Sequence, residues 1–303
     1  MLQELFYWIF NMSIVAGITT GIIALIRMVK RIRRRMMTLL WLVPALRMTV
    51  PLGLSSPYSL MSMLSRITTK TVVVLQPMPG MDFSMMNIAM AANSYFPITY
   101  KTNLLHDVFA VASVVWIIVA LAILLLLAVL YVTTLQELKD SKHLRENIYL
   151  SEKVTSPAVY GILRPKIVLP TSWAERDLKL VLLHERTHIR RLDNLWRMLA
   201  FVLVALHWFN PIAWIFLKLL LTDLELACDE GVLAQLGEDR KKEYALSLLD
   251  SKTGTNVFAS AFGGAKIRTR IENILSYQKM KWISLVAFAG LTLAIAYVLL
   301  TNA

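Results

Sequence analysis

Three apolar stretches constrain this chain more than any other feature of it. Residues 5–26 (LFYWIFNMSIVAGITTGIIALI), 108–132 (VFAVASVVWIIVALAILLLLAVLYV) and 282–300 (WISLVAFAGLTLAIAYVLL) each approach or exceed the ~20 apolar residues that a helix needs to cross a bilayer. A fourth stretch, 38–54 (TLLWLVPALRMTVPLGL), is shorter and carries Arg47 and two prolines, and it too is expected to span. With 57% hydrophobic and 17% charged residues among 303, the chain is too apolar for an ordinary soluble domain. The reading is a polytopic α-helical membrane protein of four spans.

Charge sets the expected orientation. The run RMVKRIRRR follows the first apolar stretch, so that stretch reads as a signal anchor with its N-terminus outside, not as a cleaved signal peptide. Residues 133–281 hold 22 basic and 17 acidic side chains, whereas 55–104 hold only three basic ones. The basic regions belong inside the cell and 55–104 outside, which places both termini outside. The net charge of +12 follows from this topology and calls for no direct nucleic-acid partner; the basic run faces anionic lipid of the bilayer. The single cysteine, Cys228, excludes an intramolecular disulfide framework.

The expected organisation is two spans with a basic loop (1–54), an external loop (55–107), a third span (108–132), a cytoplasmic domain (133–281), and a fourth span with a short tail (282–303). Within the domain, residues 154–170 alternate short β-branched runs with Pro and Gly, as a hairpin would. A helix is expected over 171–192, opening at Thr171-Ser172 with Glu175 and Asp177 in its early turns. Residues 198–221 are apolar enough for a fifth span, but Asn210 as a cap and Pro211 as an opening residue allow two helices in a hairpin at the membrane edge.

On the expected helix lies HERTH. His184 and His188 are four apart, so their imidazoles leave one face and can share a metal ion, with Glu185 beside them to take a proton from a polarised water. Zinc suits such donors and needs a third protein ligand and an open position. The positions where a metzincin would carry its glycine and third histidine hold Arg191 and Asn194. His207 lies in the apolar hairpin, where packing or a polar cap suits it better. Glu225 is the better candidate: in ELACDE, Glu225 with Asp229 one turn on resembles the glutamate-ligand zinc peptidases, Asp229 orienting a ligand. This requires Glu225 on the same membrane side as His184, hence a hairpin and not a crossing. The competing account is a solvated charged helix face.

Taken in order, the short first span, the basic loop, WLVPALRMTVPL, SPAVYGILRPKIVLP, HERTHIRRLDN, HWFNPIAW and ELACDE resemble the membrane zinc metallopeptidases of the BlaR/MecR antirepressor family, known for beta-lactam signal transducers. The resemblance covers nearly the whole chain. It implies a cytoplasmic α+β gluzincin-like zinc peptidase domain, with His184, His188 and Glu225 as zinc ligands and Glu185 as base. It also implies a DNA-binding repressor as protein substrate, and self-cleavage, for which the region around Ser260, Ala261 and Phe262 is the candidate. Family members that sense antibiotics carry a penicillin-binding domain after the fourth span, and this chain ends three residues beyond it. Either the sequence is a piece of a longer chain that carries the sensor, or it is a sensorless relative regulated by the external loop, by its substrate or by a partner, whether in a homodimer or as a separate sensor partner. Ser276-Tyr277-Gln278-Lys279 and Lys252-Thr253-Gly254 imitate penicillin-binding motifs, but their order and side of the membrane are wrong.

Other residues have two readings each. Asp193 could orient a ligand histidine or be a surface charge. Cys228 could approach the metal, but a small buried residue is the better expectation. Arg47 could couple or sense, and a structural role is preferred. Val159, Tyr160, Gly161 and Ile162 could form an edge strand that receives substrate by strand addition, or a buried core strand. Besides a repressor-cleaving peptidase, a constitutive membrane protease and a non-catalytic zinc-binding signalling or scaffold protein remain open.

Overall fold

The computed structural model describes residues 1–29, 32–50, 58, 103–174, 178–250, 265–279 and 282–301. Most of the external loop, the candidate self-cleavage region around Ser260 to Phe262, the Lys252-Thr253-Gly254 triplet, and Glu175 and Asp177 lie outside these. The chain is mostly helical with one small sheet.

Helix α1 (Leu2–Arg27) and helix α4 (Asn103–Glu137) are the two described helices long and apolar enough to cross a membrane. Their apolar character runs all round the axis, as the absence of charge between Leu5 and Ile26 in α1 shows. The expected span over 38–54 is instead a broken pair, α2 (Arg34–Leu40) and α3 (Leu42–Thr49), with residues 51–54 undescribed. Pro44 explains the break: it has no N–H to give the carbonyl of Leu40, four residues back, and its ring crowds that position.

The sheet has strand order β1-β2-β4-β3, from β1 (Lys142–Arg145), β2 (Ile148–Ser151), β3 (Ala158–Tyr160) and β4 (Lys166–Pro170). β2 and β4 run parallel; β1 is antiparallel to β2, and β3 to β4, pairing Ala158 with Val168 and Tyr160 with Lys166. β3 is an edge strand. Strands β1 and β2 escape sequence reasoning because KHLR is polar and fully exposed, with no buried alternation.

The helix expected from Thr171 begins later. Thr171–Trp173 is a 3₁₀ turn, and α5 starts at Lys179 and ends at Arg191. Trp173 and Leu178 both enter the core between sheet and α5, with Ile148, Ile167 and Leu182. Five residues apart on one helix they would diverge by about 140°, so the chain breaks to bury both.

Helices α6 (Asp193–Leu206) and α7 (Pro211–Leu236) form an antiparallel hairpin. Asn210 caps α7, its Oδ1 accepting from the Ile212 N–H at 2.9 Å, and Pro211 fills the first helical position. The turn docks among the apolar helices. Asn210 Nδ2 donates to Ser13 O and Oγ at 3.0 and 2.8 Å, Trp116 Nε1 donates to Leu206 O at 2.8 Å, and His207 Nε2 donates to Met48 O at 3.1 Å. Ser13 lies halfway along α1, so the hairpin penetrates the helical bundle without passing through it. A core of Ile23, Met37, Leu40, Leu203, Phe216 and Leu220 joins α1, α2, α6 and α7. Helices α8 (Lys241–Asp250) and α9 (Ile267–Leu275) pack on the far end of α7 through Val232, Tyr244, Leu248 and Ile274. Helix α10 (Trp282–Leu300) closes the chain.

Candidate metal centre

His184 and His188 leave the buried face of α5 with their Nε2 atoms 3.1 Å apart. The partners on the opposite ring nitrogens decide the tautomers. Tyr244 donates its hydroxyl proton to Asp229 Oδ1 at 2.7 Å, so its oxygen accepts from His184 Nδ1 at 2.9 Å. His188 Nδ1 donates to Asp193 Oδ2 at 2.7 Å. With both rings neutral, both Nε2 atoms are acceptors facing each other, and the Arg270 Nη2 donor lies 3.2 Å from that of His184. Burial, then His188 and Arg270, push the His184 imidazole well below its ordinary pKa, which favours its neutral form. Two imidazole nitrogens converging in a buried place are donors that could hold a metal cation. A separation of 3.1 Å is what two metal–nitrogen bonds of about 2.0–2.1 Å leave at an angle of roughly 100°.

Asp193 reaches His188 through an unusual turn. Leu192, between α5 and α6, has φ +56°, a left-handed conformation that costs a branched residue energy. It folds the next residue back over the last turn of α5. The following side chain, Asn194, donates to Val159 O at 3.0 Å and Gly161 O at 3.1 Å. Adjacent residues thus tie the histidine helix both to its own imidazole and to the edge strand. Val159, Gly161 and Ile162 line a cleft with His188 and Asn194, so the strand does border the site. Its two carbonyls there are held by Asn194.

From α7 come Glu225, Cys228 and Asp229. Glu225 Oε1 is 3.7 Å from His188 Nε2 and pairs with Arg197; its Oε2 is 3.4 Å from Arg270. Burial alone would raise this carboxyl, but His188, Arg197 and Arg270 hold it far below the carboxylate range. Asp229, fully buried, accepts from Arg270 through both oxygens at 2.7 and 2.8 Å. Arg270 Nη2 is also 3.2 Å from His184 Nε2. His184, His188 and Cys228 each offer a ligand atom, all within 4.8 Å of one another. Cys228 Sγ approaches His184 at Nδ1, 3.6 Å away, which is the nitrogen already engaged with Tyr244. Burial and the nearby Asp229, Asp193 and Glu225 push its thiol well up, away from the thiolate a metal requires. By proximity Cys228 completes the cluster, while Glu225 borders His188 Nε2 and is engaged by Arg197 and Arg270.

Glu185 is buried beside the histidines, and burial, with Glu225, raises its carboxyl above the ordinary range against the pull of His188 and Arg197. His207 lies at the hairpin turn, about 20 Å along α6 from Asp193, and takes no part. Ser276 is exposed, its hydroxyl donating to Asn273 O, with no catalytic neighbour.

A family profile described as BlaR1 peptidase M56 matches residues 7–274. The chain belongs to this peptidase family. It is 30% identical over 152 residues to a regulatory protein BlaR1 of Bacillus licheniformis, covering 46% of this chain and 25% of that one. Against a methicillin resistance mecR1 protein of Staphylococcus aureus (strain Mu50 / ATCC 700699) the identity is 30% over 150 residues, 46% and 25% of the two chains. A regulatory protein BlaR1 of Staphylococcus aureus is 26% identical over 196 residues, 54% and 33% of the two. The matched stretches thus span a quarter to a third of the length of these relatives. The M56 peptidases are metallopeptidases, and the membrane, signalling and bacterial character of the group agrees with the apolar helices found here.

Sequence reasoning did not find Tyr244, Arg270, Arg197 or Asn194. Tyr244 and Arg270 come from helices 60 and 86 residues beyond His184, a separation that no motif reports. Asn194 stands inside the quoted motif, next to Asp193, and adjacency to that residue was its only signal.

Proposed function

We propose that the chain is a membrane zinc metallopeptidase that cuts a peptide bond in a cytoplasmic protein, a DNA-binding repressor, with self-cleavage during activation. The observation that supports this most is the pair of acceptor nitrogens, His184 Nε2 and His188 Nε2, 3.1 Å apart and bordered by Glu225. His184, His188 and Glu225 would hold the metal, as the ligands of a gluzincin do. Zinc bound there supplies Lewis acidity toward the scissile carbonyl and toward a water. Glu185 accepts the proton of the attacking water on its carboxylate and returns it to the leaving nitrogen. Asp193 holds His188, and Asp229 with Tyr244 holds His184, in the tautomers that present Nε2. Substrate lies along the edge strand from Val159 to Ile162.

The proposed topology has four membrane passages, both termini outside and the peptidase domain in the cytoplasm, the α6–α7 hairpin entering the bilayer from the inner side. Resemblance to regulatory relatives supports a repressor over bulk protein degradation. Whether the protein acts with a homodimer partner or a separate sensor is part of the same proposal.

The test compares wild type with Glu185→Gln, purified in mild detergent. Bound zinc is measured by elemental analysis, and cleavage is followed both of the chain itself and of a winged-helix repressor. We expect zinc in both and cleavage in wild type only, with a loss of roughly 10²–10⁴-fold in Glu185→Gln. Zinc in both and cleavage in neither would turn the assignment toward a zinc-binding scaffold.

A further inference from the structure

Helix α7 carries four carboxylates in an otherwise apolar run, Asp223, Asp229 and Glu230 buried and Glu225 half-buried. At 3.6 residues per turn, Asp223 and Glu230 fall within about 20° of each other, and Glu225 lies about 160° around the axis from Asp223. Glu225 and Asp229 face the metal centre. Asp223 and Glu230 face away from it, toward the ends of α1 and α2.

That far face is fully partnered. Arg27, at the end of α1, donates Nε to both oxygens of Asp223 at 3.0 and 2.9 Å; Trp41 Nε1 donates at 2.8 Å, and Arg34 Nη1 lies 3.6 Å away. Glu230 accepts the backbone N–H of Arg34 on Oε1 at 3.1 Å and that of Arg35 on Oε2 at 3.2 Å. Helix α2 has no capping side chain of its own, so a residue 196 positions away supplies the acceptor. Apolar side chains of similar volume would join these helices about as firmly as buried charges do. The hydrogen bonds add direction: they fix α7 in rotation and along its axis against α1 and α2.

The connection continues past the clamp. Helices α2 and α3 lead to Arg47, 2% exposed, whose Nε donates to Leu299 O at 2.8 Å and whose Nη2 donates to Thr301 O at 2.7 Å. These are carbonyls at the C-terminal end of α10. One broken helix therefore joins the end of α10 to the back of the helix that carries Glu225.

We propose that Asp223 and Glu230 are positioning residues for Glu225, and that α2–α3 passes the position of the α10 end, held by Arg47, to the metal centre. The proposal rests on the reading of Glu225 as a ligand. Its physical content is that a rotation of α7 by even part of a residue swings Glu225 relative to the histidines, which belong to a different helix.

The test measures metal binding on the full chain in detergent, by competition with a chromophoric chelator for zinc and by the visible spectrum of bound cobalt(II). Glu230→Gln and Asp223→Asn are expected to weaken zinc about 10-fold, within the range of outer partners of metal ligands, and to alter the cobalt spectrum. In a Glu225→Ala background the same two changes should move zinc affinity less than about twofold, because the ligand they position is gone. Arg27→Gln approaches the same contact from a residue at the protein surface and should reproduce Asp223→Asn if that variant folds poorly. Arg47→Gln should shift affinity in the same direction, by about threefold. Clamp variants that leave affinity and spectrum unchanged, while Glu225→Ala weakens binding, would overturn the proposal and leave the ligand reading intact. Equal losses with and without Glu225 would also overturn it, as general destabilisation. Unchanged binding in Arg47→Gln would remove the link to α10. If Glu225→Ala itself leaves binding and spectrum unchanged, the ligand reading fails and this proposal goes with it.

Discussion

On one side of α7, Glu225 and Asp229 face His184, His188, Arg197 and Arg270; on the other, Asp223 and Glu230 face Arg27, Trp41 and the backbone of α2. Both sides carry two carboxylates of the same helix, and both satisfy them. They differ in what the satisfied state leaves over. On the far side every acceptor meets a proton donor, and the result is a joint. On the near side two imidazole Nε2 atoms converge 3.1 Å apart, with the Arg270 Nη2 at 3.2 Å from one of them. Converging nitrogen donors with a carboxylate beside them are what a cation takes up and a joint does not need, and they mark the near side as the working face.

The largest effect that sharpens this contrast is loss of Glu225. Glu225→Ala should weaken zinc by more than the roughly 10–100-fold that an outer partner contributes, whereas Cys228→Ser should change it by less than about threefold. The readout is zinc affinity by chelator competition. The reverse order would give the third ligand to Cys228. Incubation with a strong chelator should likewise abolish cleavage, and added zinc should restore it.

Next in size is Asp193→Ala. Its 2.7 Å bond to His188 Nδ1 is the means by which that ring keeps Nε2 unprotonated and aimed. Removing it should cost about 10–100-fold in zinc affinity with the helical circular dichroism unchanged. An unchanged affinity would make Asp193 only the partner of Arg191, which it also accepts from at 3.2 Å.

The near side was legible in the sequence because its main parts are local. His184, Glu185 and His188 share one helical turn, and Glu225 and Asp229 share another, so spacing alone places each set on one face. The hairpin was legible from Asn210-Pro211 and from the demand that Glu225 return to the membrane side of His184. The far side was not. Asp223 and Glu230 read as charges in a mixed helix, and the groups that meet them lie 182 to 196 residues earlier, where the basic run reads as a topology signal. Likewise the sequence showed apolar length over 38–54 but not where Pro44 would divide it.

Helix α5 and helix α7 must come close for the two ligand sets to meet, and Gly231 is where they do. A Cβ there would stand 2.9 Å from Thr187 Cγ2. Thr187 cannot swing aside easily, since it is β-branched and its hydroxyl donates to Leu183 O at 2.8 Å. Gly231→Ala should therefore destabilise the protein by about 1–3 kcal/mol and lower zinc affinity in parallel by parting the helices. Thermal unfolding with and without zinc separates the two contributions. A variant as stable as wild type with normal zinc binding would show that the contact has slack.

The smallest effect tests how the histidine helix is turned back on itself. Leu192 holds φ +56° and is 55% exposed, so its side chain buries little while its backbone carries the left-handed conformation. Glycine adopts that conformation without steric cost, although it also loosens the unfolded chain. The two terms oppose each other, and Leu192→Gly should land between no change and about 1 kcal/mol of added stability, with zinc affinity within about twofold of wild type. Leu192→Val should go the other way, because a β-branched residue fits this region poorly. The pair of variants matters more than either alone. If glycine is tolerated and valine weakens zinc, the turn serves to deliver Asp193 to His188, and the strain is local to one backbone angle. If both leave zinc unchanged, Asp193 is held by Arg191 and the packing of α6, and the left-handed turn is a consequence of joining two helices without a linker.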